Sequence, residues 1–235
     1  MQKQTILVVD DEPTIGEVVR RYLELEGFLV IICKDGQEAL ECFPRQVVHL
    51  ALIDIMLPKI DGFTLVQQLR RQTPDHPLPI ILITSLSQEN DKILGFELGV
   101  DDYVIKPFSP RELVARVKAV LKRSGNTEAS HKQGSLDFGD LQIDPLRRLV
   151  TLKGAPVSLT LTEFNLLWFM ARHPQQVLTR EQLMSQVLGY DFEGTENTLS
   201  VYIYRLREKL ESDDKNPRYI HTVRGIGYRF ECEQG

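Results

Sequence analysis

Val48–Met56, VHLALIDIM, places an acidic residue at the end of a short apolar run. Leu50–Ile53 is entirely aliphatic, a pattern that favours a parallel strand covered on both faces. Asp54 follows this run directly, and the carboxyl ends of strands form the edge of an open α/β sheet where ligands bind. Pro58 and the pair Asp61-Gly62 indicate that the chain then turns away from the sheet. We therefore interpret Asp54 as a candidate functional carboxylate.

The rest of residues 1–123 repeats this alternation of short apolar runs and amphipathic helical patterns. The predicted strands are Thr5–Val9, Phe28–Cys33, Leu50–Ile53, Pro79–Thr84 and Tyr103–Ile105. The predicted helices between and after them are Pro13–Glu26, Gln37–Phe43, Phe63–Gln72, Glu89–Leu98 and Pro110–Lys122. Five successive strand–helix units predict a doubly wound, five-stranded parallel sheet with right-handed crossovers.

Composition limits the class of protein. At 235 residues with 42% hydrophobic residues, the chain has enough apolar side chains for one large or two ordinary folded domains. The sequence lacks both a run of ~20 apolar residues and a signal-peptide pattern, so we expect a cytoplasmic protein without membrane contact. The three cysteines, Cys33, Cys42 and Cys232, lack metal-binding spacing and are interpreted as free thiols. A net charge of −5 means that any nucleic-acid contact requires a local basic patch.

A change of pattern follows residues 124–134, SGNTEASHKQG, which we interpret as a flexible linker. Residues 135–235 begin with four strand candidates: Leu136–Phe138, Leu141–Ile143, Leu149–Leu152 and Val157–Leu159. Two helices then start with capping boxes, Thr160 with Glu163 and Thr179 with Gln182. A third helix, Glu196–Glu211, and a terminal hairpin, Tyr219–Val223 with Tyr228–Cys232, complete a small α+β domain.

Charged and hydroxyl groups follow four of the strands in the first domain. Asp10 and Asp11 follow the first strand, and Asp54 follows the third. Thr84 ends the fourth strand, and Lys106 follows the fifth. Because the ends of parallel strands meet at one edge, the carboxylates would repel each other unless a cation lies between them, and hard oxygen ligands suit Mg²⁺. Asp54 could then attack a phosphoryl group, with the Lys106 ammonium offsetting charge on its oxygens and the Thr84 hydroxyl bonding the acyl phosphate.

The motifs that carry these residues resemble the receiver domain of two-component response regulators. They are LVVDDEP, LIDIMLPKIDG, ILITS and GVDDYVIKPF, within residues 5–123. The resemblance implies a flavodoxin-like fold and phosphorylation of Asp54 by a sensor histidine kinase. It implies Mg²⁺ binding by Asp11, Asp54 and the Met56 main-chain carbonyl, assisted by Asp10. It also implies a switch pair, Thr84 and Tyr103, and a cis Lys106-Pro107 peptide.

The helix Glu89–Leu98, the fifth strand and the last receiver helix carry many charged residues. A solvated charged face is the ordinary interpretation, since surface ion pairs contribute ~0–1 kcal/mol each. The pattern is nevertheless similar to the dimer face of the OmpR/PhoB family of response regulators. This resemblance implies a homodimer on phosphorylation, with Lys92 pairing with Glu112 and Asp101 or Asp102 with Arg116. The predicted dimer contacts are Lys92, Ile93, Phe96, Asp101, Asp102, Glu112, Ala115 and Arg116.

The third helix of the second domain has an apolar stripe on one side and polar groups on the other. The stripe is Leu199, Ile203, Leu206 and Leu210, and the opposite face carries Asn197, Val201, Tyr204, Arg205 and Glu208. Such a helix suits a DNA major groove, with Asn197 on adenine, Arg205 on guanine or phosphate, and Val201 on a thymine methyl. An ordinary surface helix is equally compatible with this pattern.

The motifs LTLTEFNLLWFM, VLTREQL, VYIYRLREKL and HTVRGIGYRF resemble the winged-helix effector domain of the same family. The resemblance implies that the third helix enters double-stranded DNA, that the hairpin forms a wing, and that the loop Val187–Thr195 faces RNA polymerase. The predicted DNA contacts are Asn197, Thr198, Val201, Tyr202, Tyr204, Arg205, Thr222 and Arg224. Tyr202 stands where the family usually has histidine, and Tyr204 where it often has a basic residue.

These patterns favour a transcriptional regulator of a two-component phosphorelay, switched by an aspartyl phosphate, over a conventional enzyme. The alternative is a phosphatase of the haloacid dehalogenase type, which also uses an aspartyl phosphate on a similar sheet. Its nucleophile ends the first strand in an Asp-x-Asp pattern, whereas Asp10 here is followed by Asp11-Glu12-Pro13. A third interpretation is a scaffold that uses the receiver for docking, and the complete set Asp54, Thr84 and Lys106 argues against it.

Overall fold

The structure is a computed structural model of the 235-residue chain, and it describes residues 3–74, 77–85, 98–125, 134–188, 196–213 and 216–231. The chain divides into two compact units, Met1–Ser124 and Gly125–Gly235. Each unit has its own hydrophobic core. Among the described residues, the helices are too short or too polar to cross a bilayer.

The first unit is a parallel sheet with its helices in the crossover connections. Its five strands are β1 (Thr5–Val9), β2 (Leu29–Cys33), β3 (Leu50–Asp54), β4 (Ile80–Thr84) and β5 (Asp102–Ile105). Its described helices are α1 (Pro13–Leu25), α2 (Gly36–Cys42), a 3₁₀ turn (Phe43–Arg45), α3 (Gly62–Gln72) and α4 (Pro110–Gly125). The strand order is β2-β1-β3-β4-β5, and all four neighbouring pairs are parallel.

This order confirms the predicted flavodoxin-like sheet. The chain moves from β1 outward to β2 and then returns past β1 to β3, so the direction of winding reverses between β1 and β3. Crossovers of the usual right hand would place helices on both faces, which accounts for the burial of every residue of β3 and β4. The carboxyl ends of β1 and β3 flank the reversal, the position where such sheets bind ligands.

The predicted elements of the first unit agree with the observed ones to within one to three residues at their ends. β1 has the predicted bounds, and β3 extends one residue further than predicted, so that Asp54 is its last residue. Gly27, with a φ of 87°, follows the end of α1 in the left-handed conformation that commonly terminates helices. The predicted helix Glu89–Leu98 lies almost entirely outside the described residues.

The second unit combines two antiparallel sheets with three helices. Its four-stranded sheet consists of β6 (Leu136–Phe138), β7 (Leu141–Asp144), β8 (Leu149–Leu152) and β9 (Ala155–Val157). The helices are α5 (Leu161–Ala171), α6 (Arg180–Leu188) and α7 (Glu196–Leu210). The second sheet has the order β10-β12-β11, from β10 (Val177–Thr179), β11 (Ile220–Val223) and β12 (Gly227–Phe230). This is the winged-helix arrangement that the sequence predicts.

Two differences from the prediction concern short strands. The fourth strand occupies Ala155–Val157 rather than Val157–Leu159, because the chain must leave the sheet before Thr160 caps α5. β10 was not predicted, because the sequence pattern assigns Thr179 to the cap of the helix that follows it. It pairs with β12, where a Cβ on Gly227 would lie 2.0 Å from the Leu178 carbonyl oxygen. Glycine is therefore required where the hairpin joins this sheet.

Both capping boxes form as predicted. The Thr160 side chain accepts from the Glu163 backbone N–H at 3.3 Å, and the Glu163 carboxylate accepts from the Thr160 N–H at 2.8 Å. The same reciprocal pair of bonds joins Thr179 and Gln182 at 3.2 and 2.9 Å. These bonds satisfy amide groups that the first turn of a helix otherwise leaves without partners.

Candidate functional site

Three carboxylates meet at the carboxyl edge of the parallel sheet. Asp10 and Asp11 follow β1, and Asp54 ends β3, so the reversal of winding brings them together. One oxygen from each carboxylate lies within 4.8 Å of the others. Asp10 and Asp54 are buried, whereas Asp11 is exposed to solvent. The sequence-predicted acidic cluster therefore exists as a compact group with one open side.

Lys106 places an ammonium group inside this cluster. Its Nζ lies 2.6 Å from an Asp54 oxygen, 3.1 Å from an Asp10 oxygen and 3.4 Å from the Glu12 carboxylate. Burial by itself would lower the pKa of Lys106, but the hydrogen bonds and negative charges of Asp54 and Asp10 outweigh it. The pKa of Lys106 is therefore raised above its usual value, and the group is a permanent cation. The Lys106-Pro107 peptide is cis, as the resemblance implies.

Asp10 has the properties of a carboxylate that can accept a metal ion. Burial raises its pKa, while the Glu12 N–H and Lys106 act in the opposite direction. Its Oδ1 accepts from the Glu12 N–H at 2.9 Å, and its buried Oδ2 faces the Lys106 ammonium at 3.1 Å. Two buried carboxylates and an exposed one, all oxygen donors, fit the requirements of Mg²⁺, which binds carboxylates and retains water.

The loop after β3 is held close to Asp54. The Met56 N–H donates to Asp54 Oδ1 at 2.8 Å, and the Gly62 N–H donates to the Ile55 carbonyl at 3.0 Å. A Cβ on Gly62 would lie 2.3 Å from the Asp54 carbonyl oxygen, so a side chain cannot be accommodated there. Asp61 then caps α3 through the Thr64 N–H at 3.0 Å. The Asp-Gly pair seen in the sequence thus closes the loop and starts the helix.

The predicted switch residues lie on the two neighbouring strands. Thr84 ends β4 and is 3% exposed, and its carbonyl accepts from the Lys106 N–H at 2.7 Å. Tyr103, on β5, pairs with Leu82 of β4 and is buried. Thr84 and Lys106 are thus joined directly at the sheet edge that carries Asp54.

The structure corrects part of the predicted dimer face. Asp101 is fully buried, and its Oδ2 accepts from the Ile80 N–H at 2.8 Å and lies 3.4 Å from Arg70. The prediction that Asp101 contacts a second subunit is therefore wrong: this carboxylate anchors the beginning of β4. Its neighbour Asp102 is also buried and lies 3.4 Å from Arg116 of the same chain.

The remaining predicted dimer residues divide into two groups. Arg116 also pairs with Glu112 at 3.1 Å, one turn away on α4, and Glu112 and Ala115 are exposed. These two positions are accessible on the surface of the first unit. The other three predicted contacts, Lys92, Ile93 and Phe96, lie outside the described residues.

In the second unit, α7 packs on the core through the predicted stripe. Leu199, Ile203, Leu206 and Leu210 are all buried. Tyr202 and Thr198 are also buried, at 1% and 2% exposure, so the prediction that these two side chains contact DNA is wrong. Tyr202 lies three residues after Leu199 and four before Leu206, a spacing that puts it on the same face of a helix.

Arg205 also differs from its predicted role as a DNA contact. Its Nε lies 2.9 Å from Oε1 of Glu163 on α5, a carboxylate with 0% exposure. Lys209, one turn further along α7, places Nζ 2.6 Å from Oε2 of the same carboxylate. Arg205 therefore pairs with the core of the domain instead of extending towards a DNA base. Glu163, which the sequence identifies solely as a helix cap, joins α5 to α7.

The outer side of α7 carries the remaining candidates. Tyr204 is 53% exposed and donates a hydrogen bond to Glu208, and Val201 is partly exposed. The side chain of Asn197 lies outside the described residues. In the hairpin, Thr222 and Arg224 are both exposed, as expected for a wing.

Arg207 is a further residue that the sequence analysis missed. Its guanidinium donates to the Ile220 carbonyl at 2.8 and 3.1 Å and to the Thr222 hydroxyl at 2.8 Å. It therefore connects α7 to the hairpin. The hairpin turns at Gly225, whose φ is 76°, and the Ile226 N–H donates to the Val223 carbonyl at 3.0 Å.

Comparison with known protein families assigns both units. A family profile described as "Response regulator receiver domain" matches residues 6–118. A second profile, described as "Transcriptional regulatory protein, C terminal", matches residues 154–230. Both matches cover the residues that form the sites described above.

Relatives extend this similarity to the whole chain. The alkaline phosphatase synthesis transcriptional regulatory protein PhoP of Bacillus subtilis is 44% identical over 232 residues, 96% of each chain. The sensory transduction protein RegX3 of Mycobacterium tuberculosis is 40% identical over 227 residues, 97% of this chain and 99% of RegX3.

Solved structures agree with this assignment. The response regulator DrrB of Thermotoga maritima, described as an OmpR/PhoB homolog, is 35% identical with a TM-score of 0.52, covering 98% of this chain and 100% of DrrB. A cysteine-to-serine mutant of RitR is 26% identical with a TM-score of 0.79, covering 97% of this chain and 98% of RitR. A phosphatase is not favoured by these similarities. The chain belongs to the OmpR/PhoB family of two-component response regulators, with a receiver domain followed by a DNA-binding domain.

Proposed function

We propose that Asp54 accepts a phosphoryl group from a sensor histidine kinase and that the phosphorylated state controls transcription. The observation that carries this proposal is the position of Asp54: a buried carboxylate at the end of β3, 2.6 Å from the Lys106 ammonium and beside Asp10 and Asp11. An ammonium at this distance would offset the charge on the oxygens of an incoming phosphoryl group.

Mg²⁺ is the proposed cofactor of this step. Asp11, Asp54 and the Met56 main-chain carbonyl would bind it, with Asp10 assisting, and the ion would supply charge neutralisation for the transferred phosphoryl group. Asp54 would be the attacking carboxylate, and Lys106 would hold the phosphoryl oxygens. The Thr84 hydroxyl would bond the resulting acyl phosphate, with Tyr103 as the second switch residue. The receiver would catalyse its own phosphorylation and slow dephosphorylation instead of turning over a substrate.

The second unit would bind double-stranded DNA through α7 in the major groove and the hairpin beside it. The outer face of α7 supports this proposal, with Val201 and Tyr204 accessible and Asn197 at the beginning of the helix. The exposed Thr222 and Arg224 would contact the phosphate backbone or the minor groove. The predicted linker, residues 124–134, lies mostly outside the described residues.

Two further partners complete the proposal. Phosphorylation would promote a homodimer through the face that includes Glu112 and Ala115, with Arg116 available to exchange its partner within the chain for one in the second copy. The segment Val187–Thr195, which lies mostly outside the described residues, would contact RNA polymerase. Both proposals follow from membership of the family, and the exposure of Glu112 and Ala115 supports the dimer.

Intact-mass spectrometry after incubation with acetyl phosphate and Mg²⁺ tests the central step. We expect a single added phosphoryl group on the wild-type chain and none on Asp54→Asn, which cannot form the acyl phosphate. Light scattering of the same samples should show a higher mass only for the phosphorylated wild type. Phosphorylation of the Asp54→Asn variant to the wild-type level would contradict the assignment of Asp54.

A further inference from the structure

An ion pair links the loop after β3 to the neighbouring strand–helix unit. Lys59, near the tip of this loop, places Nζ 2.6 Å from Oδ2 of Asp35. The Asp35 side chain is 3% exposed, and its other oxygen caps α2 by accepting from the Glu38 N–H at 2.9 Å. Asp35 therefore uses one carboxylate oxygen for its own helix and the other for the loop.

A close backbone contact lies beside the ion pair. A Cβ on Gly36, the first residue of α2, would lie 2.9 Å from both the Cβ and the carbonyl oxygen of Ile60. Lys59 itself adopts a φ of 66°, a conformation that a non-glycine residue rarely adopts without support from its surroundings. The loop is thus closed at its base by the bond from Gly62 to Ile55 and held at its tip against α2.

The segment between these two attachments carries Met56. We propose that the Lys59–Asp35 ion pair is a tether that positions the Met56 main-chain carbonyl, so that Mg²⁺ affinity depends on two residues that do not contact the ion. This inference rests on the proposed function, because it requires the Mg²⁺ site. Lys59 and Asp35 are positioning residues, acting through the backbone of the loop.

The two charges allow a tether to be distinguished from long-range electrostatics. If Lys59 acted only as a nearby positive charge, Lys59→Met would strengthen Mg²⁺ binding and Asp35→Asn would weaken it, and the two effects would cancel in the double variant. A tether predicts weaker binding in both single variants and no further loss in the double variant, because either substitution breaks the same ion pair.

The experiment is isothermal titration calorimetry of MgCl₂ into the unphosphorylated full chain. Asp35→Asn preserves the helix cap, since asparagine caps as well as aspartate, and Lys59→Arg keeps the positive charge. Lys153→Met is the matched control, because Lys153 is another exposed lysine with positive φ, at 51°, in the second unit. Circular dichroism in urea checks that each variant folds, and Lys59→Gln replaces Lys59→Met if that variant does not.

We expect the Mg²⁺ dissociation constant to rise about three- to fivefold in Lys59→Met, in Asp35→Asn and in the double variant. This is below the ~10–100-fold typical of groups that bond a metal ligand directly, because Lys59 is largely exposed. Lys59→Arg and Lys153→Met should stay within about twofold of wild type. Opposite signs for the two single variants, or unchanged affinity in both, would overturn the tether. Failure of the wild-type chain to bind Mg²⁺ would instead overturn the proposed cofactor.

Discussion

Replacing Arg205 by alanine should destabilise the DNA-binding domain while leaving its base preference unchanged. Sequence reasoning assigns Arg205 to a guanine or a phosphate, whereas the structure places it 2.9 Å from the buried carboxylate of Glu163. Removing the guanidinium leaves Glu163 without one of its two cations. The loss should therefore appear in the free energy of unfolding.

The contacts around Glu163 set the size of this effect. Breaking a buried ion pair by removing one partner typically costs ~3–5 kcal/mol. Glu163 keeps Lys209 at 2.6 Å and the Thr160 N–H at 2.8 Å, so the remaining charge is still partly compensated. We expect a loss of about 2 kcal/mol. In a chain that already carries Glu163→Gln, Arg205→Ala should lower the free energy of unfolding by only about 0.5 kcal/mol, because no buried charge is then left without its partner.

Urea unfolding followed by fluorescence measures this loss in one domain. Trp168 is the only tryptophan in the sequence, and it lies on α5, so its emission reports on the second unit alone. With ordinary urea dependence, about 2 kcal/mol corresponds to a fall of roughly 1 M in the unfolding midpoint. Wild type, Arg205→Ala, Glu163→Gln and the double variant together form a double-mutant cycle.

Two results would refute this reasoning. The first is an Arg205→Ala variant with the wild-type midpoint, which would mean that the ion pair contributes no stability. The second is a selective loss of ~1–3 kcal/mol for one base pair of the bound DNA, the signature of a side chain that reads that base. DNA binding has to be compared well below the unfolding transition of the variant, so that both proteins are folded.

Three further outcomes follow from burial, backbone geometry and titration. Tyr202→Ala should lower the free energy of unfolding by about 3–5 kcal/mol, whereas Tyr204→Ala should change it by about 0.5 kcal/mol or less and weaken DNA binding in a gel-shift assay. By urea titration, Gly227→Ala should destabilise the second unit far more than Gly225→Ala, which should cost about 1 kcal/mol, because the added Cβ meets the Leu178 carbonyl only at Gly227. Asp61→Ala should cost about 1 kcal/mol at pH 7, measured by circular dichroism in urea. Hydrogen bonds from Thr64 lower the pKa of Asp61, so its contribution is complete above the unfolded value of 3.8 and is lost as the pH falls through the lower folded pKa.

Much of the receiver fold is predictable from sequence because its strands are buried on both faces. Continuous aliphatic runs such as Leu50–Ile53 and Ile80–Ile83 are compatible with few structures other than a buried strand. The carboxyl ends of parallel strands must then share one edge of the sheet. This is why Asp10, Asp54 and Lys106 could be grouped before their distances were known.

The roles of Asp101 and Asp102 could not be separated in this way. The β4–β5 pairing sets Ile81 opposite Asp102 and leaves Asp101 just before the strand, where it binds the Ile80 N–H. The sequence shows two adjacent acids but does not show where the strand begins relative to its neighbour. The difference between an acid that anchors a neighbouring strand and one that pairs with Arg116 is therefore set by tertiary register.

Helix α7 of the second unit shows a different limit of prediction from sequence. Its apolar stripe was correct, but the face opposite a stripe is wide, and its edges are ambiguous. Tyr202, Arg205 and Lys209 follow one another at helical spacing along one edge, and all three are drawn inward by packing or by Glu163. The spacing of Tyr202 from Leu199 and Leu206 was a usable signal, whereas the attraction to Glu163 required knowledge of how α5 crosses α7.

The bridge made by Arg207 has a mechanical consequence. Because one guanidinium holds both Ile220 and Thr222, the third helix and the hairpin are coupled and cannot easily adjust their separation independently. DNA that contacts both the helix and the hairpin would have to fit the fixed distance between them. It would bend, or change the width of its groove, where its own dimensions differ from that distance. Operators built from easily deformed steps should then be preferred even at base pairs that no side chain touches.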